Sequence, residues 1–347
     1  MRVGPGMTRD EPRHRTGRPP RRRVAVMLVN GRGDYLMSLP TLRALSACDD
    51  DLVLVTGRGA ARSLLGEIET VDVIELPHVK DAGGPRFDGR ALAARIGRCD
   101  RFVSLNPWHN ESMCALLPAL GETPTLGYDR DFDISIALDF SRHSMDLMFD
   151  AARHVAGVDA GALEDWAWPP RFDRERVRAA AEMAALLPDD CTVLGIQGDT
   201  LIEKRWSVLG FESLVTWFLS GAPDRHVLDF GLIASVGPDI AAHERFVHCG
   251  ELVLPTAFEL VRRVDAFVGV DSCFLHAADL WRVPGVGLFG ATDVHEFGFR
   301  LGGPAIHLRG DPVSTIPPAA VIRATARILT TPTDARVPAP CPAGVHA

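Results

Sequence analysis

Short apolar runs alternate with amphipathic segments along most of the chain. Most apolar runs are rich in Val, Ile and Leu, which is typical of strands buried on both faces of a parallel sheet, and six of the eight runs end at Gly, Asp or Asn. We predict strands at 23–30, 52–56, 71–76 and 101–105 in the first half of the chain, and at 192–196, 225–231, 266–270 and 286–289 in the second half.

Apolar residues recur at helical spacing in the segments between these strands. We predict helices at 36–45, 60–65, 92–98, 113–120, 145–156, 175–187, 211–220, 239–247, 274–281 and 313–329. Alternating strands and helices are the pattern of doubly wound α/β sheets. We therefore expect an α/β protein.

A stretch with two Trp and two Pro at 159–174 interrupts the alternation and predicts a linker between two similar domains. A cleft between two domains is the usual place for a ligand. We predict a disordered basic tail at 1–20, a first domain at 21–158, a linker with its connecting helix at 159–187, a second domain at 188–330 and a Pro-rich tail at 331–347.

Charge is unevenly distributed along the 347 residues. Residues 1–23 contain eight arginines against Asp10 and Glu11, so the rest of the chain is more acidic than the net charge of −8 indicates. An acidic body is a poor non-specific binder of nucleic acid, although the basic tail could contact an anionic surface. No apolar run reaches the length of a membrane span, and no secretory signal follows the arginines.

Seven cysteines are scattered along the chain and form no C-x-x-C pair, and no Cys and His residues have the spacing of zinc ligands. The cysteine usage predicts a cytoplasmic protein without a disulfide framework. We expect no metal site.

Polar residues follow the predicted strand at 266–270 directly. Asp271 and Ser272 stand at the start of the next helix, His276 lies one turn further, and Thr292 follows the strand at 286–289. Ligands of open α/β sheets bind at the carboxyl ends of the strands, and helix N-termini favour phosphate. Asp271 and Ser272 could also be helix caps, and His276 could be a core residue.

Two other strand ends carry candidate residues. Gly33 and Asp34 follow the first strand, in a segment that lacks both the G-x-G-x-x-G and the P-loop patterns. The fourth strand ends in a polar and aromatic loop with Asn106, Trp108 and His109, which is either a substrate loop or a structural one.

The order of these motifs resembles that of glycosyltransferase family 9, the ADP-heptose:lipopolysaccharide heptosyltransferases. Gly33-Asp34 opens a helix with Pro40, and Lys204-Arg205-Trp206 follows in the second half. Asp271-Ser272-x-x-x-His276 and Phe289-Gly290-x-Thr292 complete the pattern. The resemblance runs from about Arg23 to Leu308, and its C-terminal motif is the most specific part. The family usually has Gly where this chain has Cys273.

The resemblance implies a GT-B fold, in which two Rossmann-like domains face each other across a cleft. The N-terminal domain binds the acceptor and the C-terminal domain binds the nucleotide-sugar. It also implies a metal-independent, inverting transfer of a heptose or a hexose-like sugar to a hydroxyl or amine. The donor would be a nucleoside diphosphate sugar, with adenine as the family's usual base. No other cofactor is expected, and the protein would be a monomer or a homodimer.

The resemblance also assigns roles to single residues. Asp34 matches the general base, and Lys204 matches the residue that holds the donor diphosphate. Lys204 is one of only two lysines in a chain that otherwise uses arginine, which favours a specific need for an ammonium group. The expected donor contacts are Thr200, Lys204, Arg205, Asp271, Ser272, Cys273, His276, Gly290 and Thr292, and the expected acceptor contacts are Gly33, Tyr35, Asn106, Trp108 and His109.

Alternatives remain for the reaction and for the acceptor. A GT-B fold also suits an epimerase or hydrolase of nucleotide-sugars, or a degenerate nucleotide-binding partner subunit, which Cys273 would fit. The acidic body does not suit a phosphorylated lipid core, so a small-molecule natural product is an alternative to lipopolysaccharide as acceptor.

Overall fold

The computed structural model describes residues 21–48, 51–77, 80–81, 84–155 and 162–331. The predicted tail at 1–20 lies outside these residues, as does the predicted tail at 331–347 apart from Thr331. Among the described residues, no helix combines the length and the apolar character that a bilayer-spanning helix requires.

The first half of the chain forms one parallel sheet with helices on both faces. Its strands are β1 (Arg23–Leu28), β2 (Asp51–Gly57), β3 (Asp72–Leu76), β6 (Arg101–Ser104), β7 (Thr125–Gly127) and β8 (Ile134–Ser135), and a short antiparallel pair, β4 (Lys80–Asp81) and β5 (Gly84–Pro85), lies outside the sheet. Its helices are α1 (Arg32–Ser46), α2 (Ala60–Leu64), α3 (Gly89–Ile96), α4 (Glu111–Ala119) and α5 (Ser144–His154).

The second half repeats this arrangement. Its strands are β9 (Thr192–Gln197), β10 (Arg225–Asp229), β11 (Phe246–His248), β12 (Ala266–Val270), β13 (Gly285–Phe289) and β14 (Ala305–Arg309). Its helices are α6 (Arg174–Ala184), α7 (Val208–Gly221), α8 (Pro238–Ala241), α9 (Leu254–Val261), α10 (Cys273–Leu280), α11 (Val294–Phe297) and α12 (Pro318–Leu329).

The two six-stranded sheets share one topology. The strand orders are β3-β2-β1-β6-β7-β8 and β11-β10-β9-β12-β13-β14. In each sheet the first strand lies in the middle, the next two strands extend to one edge, and the last three extend from the middle to the other edge. The strands of both sheets pair in parallel, and the central strands are apolar because helices cover both faces. These sheets confirm the prediction of two doubly wound α/β units.

The halves contact each other through α1. This helix packs against α5 of its own half and against α10 of the other half, and a shared apolar core continues between them. The N-termini of α1 and α10, which follow the middle strands β1 and β12, are therefore brought to the same place.

The segment predicted as a linker is fixed to the body. The guanidinium of Arg43 donates hydrogen bonds to the backbone oxygens of Trp166, Trp168 and Pro169, and it also pairs with Glu67 at 2.7 Å. Arg282 of the second half donates to the oxygen of Ala167 at 3.1 Å. The backbone from 166 to 169 therefore holds both halves through buried arginines.

Several elements differ from the sequence predictions. The segment 239–247, predicted as one helix, contains three of the four residues of α8 and the first two residues of β11, which pairs with β10 at the edge of the sheet. The predictions also missed β7, β8, β14 and α9. Two of these strands, β7 and β8, have only three and two residues, which is too short a pattern for periodicity to reveal. The strand β14 lies at a sheet edge, and its side chains are only partly buried.

Candidate functional site

A cavity of about 630 Å³ lies between the carboxyl ends of the two sheets. Its wall on the side of the first half comes from the ends of β1, β6 and β7, from the loop after β8 and from α5. The opposite wall comes from the ends of β9 to β12 and from α9 to α11. Of the predicted site residues, the cavity brings together Gly33, Asp34, Thr200, Lys204, Arg205, Asp271, Ser272, Cys273 and His276.

Asp34 stands in the first turn of α1, at the third helical position. Its Oδ2 accepts a hydrogen bond from the backbone N–H of Gly31 at 3.0 Å, which fixes the carboxylate at the helix N-terminus. Burial raises the pKa of Asp34, and this effect exceeds the opposing influence of His276 and of the Gly31 hydrogen bond. A carboxylate with a raised pKa is a better proton acceptor than an ordinary one.

Lys204, Asp271 and His276 form a charged cluster on the opposite wall. Lys204 Nζ lies 2.6 Å from Asp271 Oδ2, and His276 Nε2 lies 3.7 Å from Asp271 Oδ1. Burial alone would raise the pKa of Asp271, but His276 and Lys204 together hold it well below its usual range. Asp271 therefore stays ionised and keeps the ammonium of Lys204 in place.

The N-terminus of α10 has polar groups without partners. Ser272 is the N-cap residue, but its side chain does not cap the helix, and its buried Oγ has no hydrogen-bond partner among the described residues. Within the same part of the chain, the buried Oε1 of Gln197 at the end of β9 also lacks a partner. The Ser272 hydroxyl beside a helix N-terminus can donate to an anionic ligand, whereas Gln197 Oε1 can only accept a hydrogen bond, for example from a sugar hydroxyl. The alternative that Ser272 is only a cap does not agree with this geometry.

Arg205 and Thr200 belong to a loop that shapes the cavity. Arg205 Nε donates to the oxygen of Thr200 at 2.7 Å, and its Nη2 donates to Asp199 Oδ1 at 2.7 Å. The guanidinium therefore holds the loop between β9 and Lys204 in its observed shape. Asp199 lines the cavity as well and was missed at the sequence level, as were Gln197, Glu296 and Phe297. The position of Gln197 directly before Gly198, at a strand end, is the signal that could have found it.

Gly33 brings the two halves into close contact. A Cβ atom built on Gly33 would lie 2.8 Å from Cδ2 and 3.2 Å from Nε2 of His276. Only a residue without a side chain allows α1 to approach α10 this closely. Gly33 therefore allows Asp34 to lie close to Lys204, Asp271 and His276 of the other half.

Four predicted acceptor residues do not reach the cavity. The Tyr35 side chain is buried, and its oxygen accepts a hydrogen bond from Gly57 N–H at 2.9 Å. Asn106 is buried too: its Oδ1 accepts from Val29 N–H at 2.8 Å and its Nδ2 donates to Met27 O at 3.1 Å. The Asn106 bonds connect the ends of β1 and β6, and the Tyr35 bond connects α1 to the end of β2. The two residues therefore have structural roles here, and the acceptor contacts expected for them require correction.

The Trp108 ring packs over Gly84, and His109 stands beside Asp131 and Cys114, away from the cavity. His109, Cys114 and Asp131 place one possible metal ligand each within 4.8 Å of the others. However, Asp131 faces Nε2 of His109 at 3.6 Å, whereas Cys114 faces Nδ1 at 3.8 Å. Because the two partners stand at opposite nitrogens of one ring, this arrangement does not converge on a single ion.

Two residues expected to contact the donor also lie outside the cavity. Gly290 packs against Val313, whose backbone N would be 2.7 Å from an added Cβ. Thr292 follows it and is not among the lining residues, although its Oγ1 is buried without a partner among the described residues. Gly290 therefore packs against the neighbouring loop, and neither residue lines the cavity.

The halves are also connected beside the cavity by charged and polar residues. His143 accepts the N–H of Met145 at its Nδ1, so the proton of the neutral ring is on Nε2, which donates to Gly298 O at 2.9 Å. Burial, followed by the nearby His276, lowers the pKa of His143 to about 4. Arg300 pairs with Asp146 and Glu164, each at 2.8 Å.

The model of the family described as glycosyltransferase family 9 (heptosyltransferase) matches residues 91–309. The matched range includes Lys204, Asp271 and His276, whereas Asp34 precedes it. A comparison with curated proteins finds no match to this chain.

Solved structures resemble the whole two-domain arrangement. A glycosyl transferase of family 9 from Veillonella parvula is 19% identical, with 89% of this chain and 97% of that chain covered and a TM-score of 0.68. The E. coli ADP-heptose lps heptosyltransferase II is 18% identical over 88% and 98% of the chains, with a TM-score of 0.65. The E. coli heptosyltransferase WaaC with ADP is 14% identical over 88% and 99%, with a TM-score of 0.62. At these identities the structures establish the fold, which is the expected GT-B arrangement.

Proposed function

Because this chain belongs to glycosyltransferase family 9 and is therefore a glycosyltransferase, we propose that it transfers a sugar from a nucleoside diphosphate donor to a hydroxyl group with inversion at the anomeric carbon. The observation that supports this most strongly is the position of Asp34 across the cleft from Lys204, Asp271 and His276. One wall thus offers a proton acceptor, and the other offers a cation and a helix N-terminus.

Asp34 is the proposed general base. A hydroxyl that attacks an anomeric carbon must lose its proton, and a carboxylate held by the Gly31 N–H can accept it. The raised pKa of Asp34, which results mainly from burial, increases its affinity for that proton. Attack from the side of the first half displaces the leaving group toward the second half, which inverts the configuration at the anomeric carbon.

The second half is the proposed donor site. The diphosphate leaving group gains negative charge in the transition state, and Lys204 with the N-terminus of α10 would stabilise that charge without a metal ion. The phosphates and the sugar would contact Ser272, Cys273 and Thr200, and Arg205 would keep the loop of Thr200 in place. The ionised Asp271 would accept hydrogen bonds from the sugar hydroxyls, and His276 would also form hydrogen bonds with them. WaaC with ADP and the heptosyltransferase named for ADP-heptose support an ADP-linked sugar, of which heptose is one option.

We assign the two domains accordingly. Residues 21–158 form the acceptor-binding domain and residues 188–330 form the nucleotide-sugar-binding domain, connected through the segment 159–187. The strand order of each sheet supports this division, since each contains a complete doubly wound unit.

The test uses Asp34→Asn, which keeps the shape of the side chain and removes its basicity. With ADP-heptose as donor and 4-methylumbelliferone as hydroxyl acceptor, we expect product formed in the presence of EDTA to fall about 10³-fold, which is within the usual range for loss of a general base. Binding of ADP should change less than twofold. Asp173→Asn, at the N-cap of α6 and outside the cavity, is the control.

Two results would contradict the proposal. Normal transfer by Asp34→Asn would remove Asp34 as the base. Loss of wild-type transfer in EDTA that added Mg²⁺ restores would contradict a metal-independent reaction.

A further inference from the structure

The wall of the cavity that belongs to the first half is mostly apolar. Six large side chains from α1, from the end of β6, from the loop after β8 and from α5 line it: Met37, Leu105, Leu138, Phe140, Leu147 and Met148. Four of these six side chains, on α1, β6 and α5, are largely buried, whereas Phe140 is 55% exposed. The accessible apolar surface of this wall therefore comes from Phe140 and Leu138, together with Pro107 and the ring of Tyr128. A contiguous apolar surface inside a cavity is typical of a surface that a ligand covers.

Tyr128, an aromatic residue of this wall, has its hydroxyl group turned away from the cavity. The hydroxyl of Tyr128 donates a hydrogen bond to the backbone oxygen of Leu147 at 2.9 Å. The ring of Tyr128 therefore adds apolar surface to the wall. Met37 and Met148 lie behind this surface, where they are 1% and 4% exposed and support it from the core.

Charge is scarce on the same wall. Among the described residues that line it, Arg32 and Asp34 are the charged ones, and Asn30 and Ser144 are the other polar side chains. Recognition of a phosphorylated sugar requires several cations or bidentate arginines, and a bare oligosaccharide requires many hydrogen-bonding groups. This wall offers neither, so it does not suit a polyanionic sugar.

We propose that the acceptor has an apolar, ring-containing body that carries the hydroxyl to be glycosylated, as a phenolic or polyketide aglycone does. This rests on the proposed function, because it requires Asp34 to be the base. Asp34 lines the same wall as the accessible apolar residues Tyr128, Leu138 and Phe140, so a ring that covers these residues shares the cavity with the Asp34 carboxylate.

The test is direct binding of 4-methylumbelliferone, a flat phenol, to the full chain in the presence of saturating ADP, measured by its fluorescence. ADP fills the nucleotide side of the cavity, so a phenol that still binds must contact the other wall. We expect Phe140→Ala to weaken this binding about tenfold and Phe140→Trp to restore it. Glucose 6-phosphate should show no binding at concentrations at which the phenol saturates.

Leu232→Ala is the matched control. Leu232 is 70% exposed and lines the same cavity from the opposite wall, so it reports on a general loss of apolar surface. It should leave the binding of the phenol unchanged. Both substitutions are at exposed positions, where the fold tolerates a smaller side chain.

The proposal is overturned if ADP displaces the phenol and Leu232→Ala weakens it as much as Phe140→Ala does. Tighter binding of glucose 6-phosphate than of the phenol, lost in Arg32→Ala, would also overturn it. Because the assay measures binding and not transfer, its failure is separate from a failure of Asp34→Asn, which concerns the reaction itself.

Discussion

The two halves of the molecule share one strand order and differ in what the ends of their strands present. The first half offers a wall of apolar side chains with a single carboxylate, Asp34, at the N-terminus of α1. The second half offers Lys204 and Asp271 as an ion pair, with unpaired polar atoms beside it. The comparison teaches that topology decides where a ligand binds, whereas a few rim residues decide which ligand.

The ion pair between Lys204 and Asp271 in the second half is largely shielded from water. Asp271 is 6% exposed and Lys204 is 22% exposed, so both groups have lost much of their hydration. A buried ion pair often contributes little to stability, because desolvation offsets the attraction. The proposed binding of an anionic ligand by Lys204 accounts for the pair better than a contribution to stability does. Among the described residues of the first half that line the cavity, no ion pair is present.

We expect the largest effect from the removal of Lys204, because its ammonium belongs to the ion pair that distinguishes the cavity wall of the second half. Lys204→Ala should weaken ADP binding about 100-fold and adenosine binding less than threefold, because the ammonium interacts with phosphate and not with the nucleoside. Isothermal titration of both ligands measures the difference.

Arg178→Ala is the control for Lys204→Ala, since Arg178 is an exposed cation on α6 that pairs with Glu182. It should leave both affinities unchanged. Equal losses for ADP and adenosine in Lys204→Ala would show that Lys204 does not contact the diphosphate.

A second prediction concerns the contact that holds the halves at their distance. His143 is neutral in the folded protein because its pKa is lowered from 6.5 to about 4, so the unfolded chain takes up a proton more readily between these values. The free energy of unfolding should therefore rise with pH in this window. Acidification from pH 7 to pH 5 should remove about 2 kcal/mol through this group alone.

His143→Gln retains a donor for Gly298 and an acceptor for Met145 without a titrating ring. Urea unfolding at pH 7 and at pH 5 should give a smaller pH dependence for this variant, by the same 2 kcal/mol or so. His154→Gln, on the exposed end of α5, is the control. An identical pH dependence in wild type and His143→Gln would contradict the assignment.

We expect the smallest effect from a substitution at Gly33, where α1 of the first half contacts α10 of the second half. Gly33→Ala would place a methyl group 2.8 Å from the His276 ring, so the ring must move or the halves must separate slightly. A shift of this size should lower kcat about tenfold, because it changes the distance between Asp34 and the donor. Steady-state kinetics with ADP-heptose measures it.

The binding of ADP to Gly33→Ala should change little, since Lys204 stays in place. Gly59→Ala is the matched control at another loop glycine, although its positive φ of 76° adds backbone strain that Gly33 does not have. An unchanged kcat in Gly33→Ala would show that the close approach to His276 is not needed for transfer.

Much of the fold could be predicted from apolar runs. The central strands β1, β2, β9 and β12 were found because they are buried on both faces and have a continuous apolar sequence. The short strands β7 and β8 were missed because two or three residues show no recognisable pattern in the sequence. They become strands because an edge of the sheet is available for pairing. The helix predicted at 239–247 failed for the same reason, since β10 pairs with β11 there.

The candidate site was predicted unevenly. Asp34, Lys204, Asp271 and His276 stand in motifs whose order along the chain identifies the family, so they could be named before the structure was known. Tyr35 and Asn106 were misassigned because a polar side chain at a strand end looks the same in the sequence whether it faces the cleft or a neighbouring backbone.

The sequence by itself determined the two doubly wound units, the family and the charged residues of the donor side, because these depend on local periodicity and on short motifs. Only the tertiary structure decided which side chains meet. Residues from α1, β6, the loop after β8 and α5 form one apolar wall although they are more than a hundred residues apart at their extremes. Their apolar pattern in the sequence is that of ordinary core residues, and only the packing of the two halves leaves them facing a cavity.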